Sequence, residues 1–418
     1  MDHFSLIGGA MHAENVPLAR IAEEVGTPVY VYSTATLRRH AQVFRDGLAA
    51  VPRKHLAFAV KANPNLAVLR LLANEGFGAD VVSGGEMARA LAAGMPAKDI
   101  VFSGVGKSRA ELAQGLDAGI GQFNLEIEEE GVVLSEIAAA KGMRAPATIR
   151  VNPDVDAGTH EKISTGKAEN KFGLPISEAR AIFDRLAPLP GLDLRGVAVH
   201  IGSQLQSLEP LERAFERVGE LVRELRAAGH TITHVDLGGG LGVTYRAGDN
   251  PPSPAAFGEM VARVTKDWDV ELMFEPGRVI CANAGVLVTE VLWVKPGPVN
   301  PWVIVDAAMN DLARVALYDA YHDVAAVRRT GERMTANIAG PVCESSDVFA
   351  KGREMDAVRS GDLIVLRSAG AYGATMASTY NSRPLVPEVL VSGDRFEVVA
   401  QRISAETIMA EEHVPDWL

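Results

Sequence analysis

From Leu56 to Glu275 the chain alternates short apolar runs with longer amphipathic stretches. The predicted strands are Leu56–Val60, Ala79–Val82, Ile100–Ser103, Gln122–Leu125, Thr148–Asn152, Val197–His200, His234–Leu237 and Glu271–Glu275. They are short, apolar and closed by turn-forming residues, as parallel strands buried on both faces are. Helical spacing fills the gaps at Asn65–Asn74, Gly85–Ala93, Arg109–Ala118, Ile127–Ala140, Ser177–Leu186 and Leu208–Ala228. Ser108, with Glu111 three residues on, reads as a capping box that starts one of them. This alternation predicts a (β/α)8 TIM barrel. A doubly wound sheet is the alternative, but it usually has fewer strands.

After Arg278 the texture changes. Val286–Val294, Trp302–Asp306, Ala336–Ile338, Leu363–Leu366, Glu388–Val391 and Phe396–Ala400 read as strands between turn-rich loops. Helical periodicity is confined to Ala307–Ala326. A mostly antiparallel β-domain is predicted. The β-rich run Thr27–Tyr32 marks a segment able to pack with it. The expected organisation is therefore a segment over 1–30 packing with the β-domain, a barrel over 31–284, and the β-domain over 285–418.

With 418 residues the chain exceeds one ordinary core, and its 47% hydrophobic and 22% charged residues are globular composition. A net charge of −12 argues against a broad nucleic-acid footprint. It leaves room for a locally positive pocket. Two cysteines, Cys281 and Cys343, make no disulfide framework and point to a reducing compartment. No basic, apolar leader is evident at Met1–Ala10, and no apolar run reaches the ~18 residues of a membrane span. A cytoplasmic protein without metal, membrane or nucleic-acid partners is expected.

Two glycine motifs compete for attention. Gly104-Val105-Gly106-Lys107-Ser108 resembles a phosphate loop, but the position where that loop needs its first glycine is Val101, inside a strand. It reads as a turn and a helix cap. Gly238-Gly239-Gly240-Leu241-Gly242 lacks the last glycine of a dinucleotide fingerprint, because position 243 is valine, and Pro251, Pro252 and Pro254 follow. Its amides, free of side chains, still suit an anion. The run follows predicted strand seven, and Glu275-Pro276-Gly277-Arg278 follows strand eight, where barrels commonly bind phosphate.

Lys61 ends predicted strand one, so it faces the mouth of the barrel. Desolvation there favours a neutral amine able to form a Schiff base. A lysine opposite a phosphate cradle points to pyridoxal phosphate. Glu275 is then placed to hold the proton of the cofactor's ring nitrogen, and His200, ending strand six, to lie flat on the ring. Each residue alone has a plainer reading: a surface lysine, a Glu275–Arg278 ion pair, a satisfied core histidine.

These segments, with others, resemble the diaminopimelate decarboxylases, within the alanine-racemase-like fold family of pyridoxal-phosphate enzymes. The similar stretches are Phe58–Asn63, Asp80–Glu86, Arg150–Asp154, 158–166, Lys171–Gly173, Val199–Gln204, Asp236–Gly242, Glu275–Arg278, Leu317–His322, Pro341–Asp347 and Gly370–Ser378. They run in the family's order over nearly the whole chain. The resemblance implies decarboxylation of meso-2,6-diaminopimelate to L-lysine and carbon dioxide, the last step of lysine biosynthesis. It implies that Lys61 bonds the cofactor, with His200, Ser203, Gly239, Gly240, Glu275, Gly277, Arg278 and Tyr372 around it. It gives Arg278, Arg314 and Tyr318 to substrate carboxylates, and Glu344 and Tyr372 to the rest of the substrate site. It makes Cys343 the proton donor, supplied by the partner in a head-to-tail homodimer. Val315 departs from a proline common in the family, which bears on local backbone only.

Three alternatives accompany this reading. A sister decarboxylase for ornithine, arginine or carboxynorspermidine tends to carry Asp where Glu344 stands. A racemase of the same fold places an arginine near the ring nitrogen, where this chain has Glu275. A cofactor carrier or decoy lacks catalytic residues, and Lys61, Glu275 and Cys343 are all present.

Overall fold

The computed structural model describes residues 2–156 and 171–418, so the similar stretch 158–166 lies outside the described residues. Two compact units result, one drawn from Met1–Arg39, Thr244–Asp249 and Cys281–Leu418, the other from His40–Val243 and Asn250–Ile280. No helix among the described residues is long and apolar enough to cross a membrane.

The second unit is a parallel β-barrel. Its strands, in chain order, are Lys54–Ala59, Gly78–Val81, Ile100–Phe102, Gln122–Leu125, Ala145–Asn152, Leu192–Ala198, His234–Asp236 and Glu271–Phe274. Each pairs with the next, and the last closes on the first through Leu272 beside Lys54 and Phe274 beside Leu56. All eight overlap predicted strands, the sixth least, since it runs Leu192–Ala198 where Val197–His200 is predicted. Their side chains are buried almost throughout, because helices cover the outside and packed residues fill the inside.

The helices show why the periodicity was legible. In Glu209–Ala227 the buried stripe is Leu211, Phe215, Val218, Val222 and Leu225, spaced four, three, four and three. Ser108 caps Arg109–Ala118 with the reciprocal Ser–Glu bonds its spacing predicts. The helix Pro254–Thr265 is not predicted, because Pro251, Pro252 and Pro254 read as a loop. Pro254 is in fact a first-turn residue, where a missing N–H costs nothing, and the Ser253 side chain accepts from the Ala256 amide.

This helix lies against the end of Thr34–Gly47. A Cβ at Gly258 would sit 1.8 Å from the Gly47 carbonyl oxygen. Gly258→Ala is therefore expected to lower stability by about 1–3 kcal/mol through overpacking. A thermal melt checks this, and an unchanged midpoint would show that the helix can move outward freely.

The first unit is a mostly antiparallel sheet. Its order is Val348–Asp356, Arg333–Ala339, Trp302–Val305, Gly285–Lys295, Val29–Ser33, Glu388–Ser392 and Arg395–Ala400. Leu363–Leu366 branches from Gly285–Lys295 and pairs with Val324–Ala326. The edge strand Val348–Asp356 escaped the sequence reading because Lys351, Arg353 and Glu354 break its apolar run, as charges on an edge do.

The predicted helical stretch Ala307–Ala326 is corrected by the structure. Only Arg314–Tyr318 is helical, and Val324–Ala326 is a strand. The Asp311 carboxylate accepts from the Ala308 amide at 2.8 Å, which closes a turn before the helix. Asp319, at φ 50°, ends it in the left-handed region.

Candidate active site

The first barrel strand ends at Ala59, and a single 3₁₀ turn, Val60–Ala62, carries Lys61 at the carboxyl end of the barrel. Its Nζ donates to Oδ2 of Asp80 at 2.5 Å. Asp80 comes from the neighbouring strand Gly78–Val81 and is fully buried. Its Oδ1 is buried with no hydrogen-bond partner. A buried carboxylate with one oxygen unsatisfied is costly, and a bound polar group in the barrel mouth suits that place.

Strands seven and eight, next to strand one around the barrel, carry a second set of carboxyls. Asp236, at the end of strand seven, accepts from the Gly238 amide on Oδ1 at 2.9 Å and from Asn124 Nδ2 on Oδ2 at 2.9 Å. Asn124 also donates to Ser103 Oγ at 3.0 Å and accepts from Gln122 and Thr148. Glu275 follows strand eight and is hydrogen-bonded to Asp236. Burial pushes the Glu275 carboxyl well above the usual range, and the nearby charges of Asp236 and Asp80 push it further against the opposing pull of Lys61. Burial raises Asp236 as well, while Asn124 and the Gly238 amide resist. Of the two carboxyls Glu275 is pushed up further, which favours a shared proton on Glu275.

His200 is held by the Gly239 amide, which donates to Nδ1 at 3.2 Å. Its neutral form therefore carries the hydrogen on Nε2. Burial drives its pKa well below the ordinary value, and the positive charges of Arg150 and Lys61 add to this. An uncharged imidazole is suited to lying against a flat ring. Arg150 in turn pairs with the buried Glu126 at 2.7 Å, and Glu126 also accepts from the amides of Gly104 and Gly173.

The loop after strand seven is built for close approach. Gly238 and Gly240 have φ of 64° and 122°, and a Cβ at Gly239 would lie 2.3 Å from the Glu275 carbonyl oxygen. Arg278 opens the short helix Arg278–Cys281 after strand eight and donates to Ser203 Oγ from Nη2 at 3.0 Å. Gly277 lies in the loop between. By contrast the Gly104–Ser108 stretch is no anion loop. The Lys107 side chain is fully buried in an ion pair with Glu130 at 2.6 Å and donates to the carbonyls of Gly104 and Asn124.

A cavity of about 390 Å³ opens among Lys61, Ser103, Asn124, Arg150, His200, Asp236 and Glu275. Its size matches a small planar ligand. The donor set also fits pyridoxal phosphate: an amine for its aldehyde, a buried acid for its ring nitrogen, a neutral imidazole for its face and a glycine cradle for its phosphate. Lys61, His200, Ser203, Gly239, Gly240, Glu275, Gly277 and Arg278 thus all belong to the barrel unit.

The remaining predicted residues belong to the other unit. Arg314 and Tyr318 begin and end one five-residue helix. Tyr372 follows the strand Leu363–Leu366 and has φ 56°, a strained conformation for an aromatic residue. Cys343 is exposed, and its amide donates to Asn381 Oδ1 at 3.2 Å. Glu344 accepts from Ser346 and is hydrogen-bonded to Tyr380, and these bonds hold its carboxyl below the usual range.

The sequence assigns no role to Asn124, or to Asp80, Arg150 and Asp236, each of which begins one of the similar stretches. Asp236 had a signal, being the residue before the glycine run. Gln122 and Asn124 had another, as polar residues alternating with Phe123 and Leu125 in a buried strand.

The family model of the pyridoxal-dependent decarboxylases, pyridoxal binding domain, matches residues 34–282. A diaminopimelate decarboxylase of Zymomonas mobilis subsp. mobilis is 50% identical over 421 residues, with 100% of each chain covered. One of Pseudomonas fluorescens is 50% identical over 420 residues, again with 100% of each covered. The crystal structure of diaminopimelate decarboxylase from M. jannaschii in co-complex with L-lysine superposes with a TM-score of 0.95 at 36% identity, covering 100% of this chain and 99% of that one. By its barrel, its lysine-bearing mouth and its full-length similarity, the chain belongs to the diaminopimelate decarboxylases, a group within the pyridoxal-dependent decarboxylases.

Proposed function

We propose that this chain releases one carboxyl group of meso-2,6-diaminopimelate as carbon dioxide and yields L-lysine, the last step of lysine biosynthesis. The carrying observation is that the Lys61 amine, hydrogen-bonded to Asp80, and the buried Glu275 carboxyl line one barrel-mouth cavity. The L-lysine held by the M. jannaschii relative supports the product.

Bound pyridoxal phosphate supplies an aldehyde that captures primary amines and a ring that withdraws electrons from the α-carbon. The protein's residues do the rest. Lys61 holds the cofactor through its amine, and Asp80 keeps that amine aimed. Glu275 keeps a proton at the ring nitrogen, and neutral His200 covers one face. Gly239, Gly240, Gly277, Ser203 and Arg278 take the phosphate. Arg278, Arg314 and Tyr318 bind substrate carboxylates by charge-assisted hydrogen bonds. Glu344 takes the distal amine, and Tyr372 closes the site. The thiol of Cys343 returns a proton to the α-carbon, contributed by the partner of a homodimer. The reaction belongs in the cytoplasm, in keeping with a chain of only two cysteines.

Carbon dioxide release distinguishes this reading from its rivals. The kcat/KM on meso-diaminopimelate should exceed that on ornithine or arginine by at least about 100-fold, because a missing carboxylate leaves buried cations unpaired. Comparable values on all three substrates would overturn the assignment.

A further inference from the structure

Arg314 is almost fully buried, and its guanidinium is held from two sides within its own unit. Nη1 lies 2.8 Å from Nε2 of His322, and the guanidinium carbon lies 5.0 Å from the ring centroid of Tyr245, over its face. His322 is fully buried, and its Nδ1 lies 2.8 Å from the carbonyl oxygen of Arg367. The edge of one of these rings meets the face of the other, His322 and Tyr245 having centroids 5.6 Å apart at 82°.

The chemistry of the partners fixes the protonation of His322. A carbonyl only accepts, so Nδ1 carries the hydrogen. A guanidinium only donates, so Nε2 is bare and accepts from Arg314. The imidazole is therefore a neutral bridge from a main-chain carbonyl to a cation. Its orientation is set by the Arg367 carbonyl, and it sets one guanidinium nitrogen in turn. Tyr245, from a separate chain segment, sets the plane.

We propose that His322 is a positioning residue, which with Tyr245 locks the Arg314 guanidinium in the plane needed for a substrate carboxylate. The inference rests on the reading that Arg314 binds such a carboxylate. Bidentate recognition depends on the angle of the guanidinium fork. A buried arginine without its brace retains its charge and loses its aim.

Steady-state kinetics on the cofactor-loaded enzyme test this. In His322→Phe the KM for meso-diaminopimelate should rise about 10- to 100-fold, the range for a hydrogen bond to a charged group, with kcat within about twofold. His322→Gln should restore most of the KM, since an amide can donate to the Arg367 carbonyl and accept from Arg314. Tyr245→Leu, at a half-buried position, gives a KM rise of the same sign if His322→Phe fails to fold. Either change combined with Arg314→Ala should be no worse than Arg314→Ala alone. Inhibition by L-lysine should weaken in these variants, while inhibition by 1,5-diaminopentane, which has no carboxylate, should not. If Arg314→Ala raises KM and neither His322→Phe nor Tyr245→Leu does, the positioning role is wrong and the carboxylate reading stands. If Arg314→Ala leaves KM unchanged, the carboxylate reading falls and the inference with it. Additive effects in the double variants, or equal losses of L-lysine and 1,5-diaminopentane binding, also overturn it.

Discussion

Lys61→Ala is expected to lose turnover by at least on the order of 10³-fold, together with the visible absorbance of the amine-linked cofactor. The reason is positional. Lys61 is the sole lysine among the described residues lining the cavity. Lys107, in the turn after strand three, has a buried side chain that spends its donors on Glu130 and on the carbonyls of Gly104 and Asn124. No neighbouring amine can take over without breaking that set. Lys61→Arg serves as the control for folding. It keeps a cation beside Asp80, whose carboxylate is fully buried, but offers no amine that condenses with an aldehyde. Both variants should therefore be inactive, and the arginine variant should melt closer to the parent enzyme. Borohydride reduction of the loaded enzyme, followed by peptide mapping, gives the direct check. A labelled peptide that carries any other lysine, or full turnover in Lys61→Ala, defeats the assignment.

How much of this was legible beforehand depended on the kind of signal each residue left. The barrel strands were readable because burial on both faces leaves unbroken apolar runs such as Leu56–Val60 and Ile100–Ser103. Lys61 was readable because a cation directly follows such a run, and the glycine run because a string of glycines directly follows a predicted strand. The polar web of Ser103, Asn124, Thr148 and Asp236 left a weaker trace. Its members come from separate strands, and Ser103, Thr148 and Asp236 come within 3.0 Å of Asn124 only once the strands are assembled in the barrel. Nothing local distinguishes Thr148 in a strand from any other β-branched residue. Stretch 307–326 failed for the opposite reason. Its alanines and leucines satisfy a helical period, but the Asp311 side chain captures a backbone amide and bends the chain into a turn. Pro254 was misread because proline ends helices in their interior and begins them at their first turn. The link between Arg314 and His322 spans a helix end and a left-handed residue at Asp319, so their spacing alone does not place them in contact.

Glu275→Gln is expected to act in opposite directions on catalysis and on stability. In the loaded enzyme a glutamine cannot hold a proton at the ring nitrogen, and kcat should fall by about 10²–10³-fold, the usual cost of one preorganised electrostatic partner. In the cofactor-free protein the same change should stabilise. Burial and the charges of Asp236 and Asp80 raise the folded-state pKa of Glu275 well above its unfolded value. The carboxyl's favourable contribution is then full below the ordinary glutamate range, where it is protonated folded or unfolded. It is lost as pH rises through that range toward the raised folded value, because the unfolded chain ionises first. Glutamine never ionises and can still donate to Asp236. The cofactor-free variant should thus melt higher than the cofactor-free parent at pH 7 to 8, and the difference should vanish on acidification toward about pH 4. Melting curves of both cofactor-free proteins across that range, set beside kcat for the loaded forms, test the two halves separately. A variant with full kcat removes Glu275 from the ring nitrogen. A stability difference that is constant with pH, or that grows on acidification, shows instead that Glu275 is ionised in the folded protein.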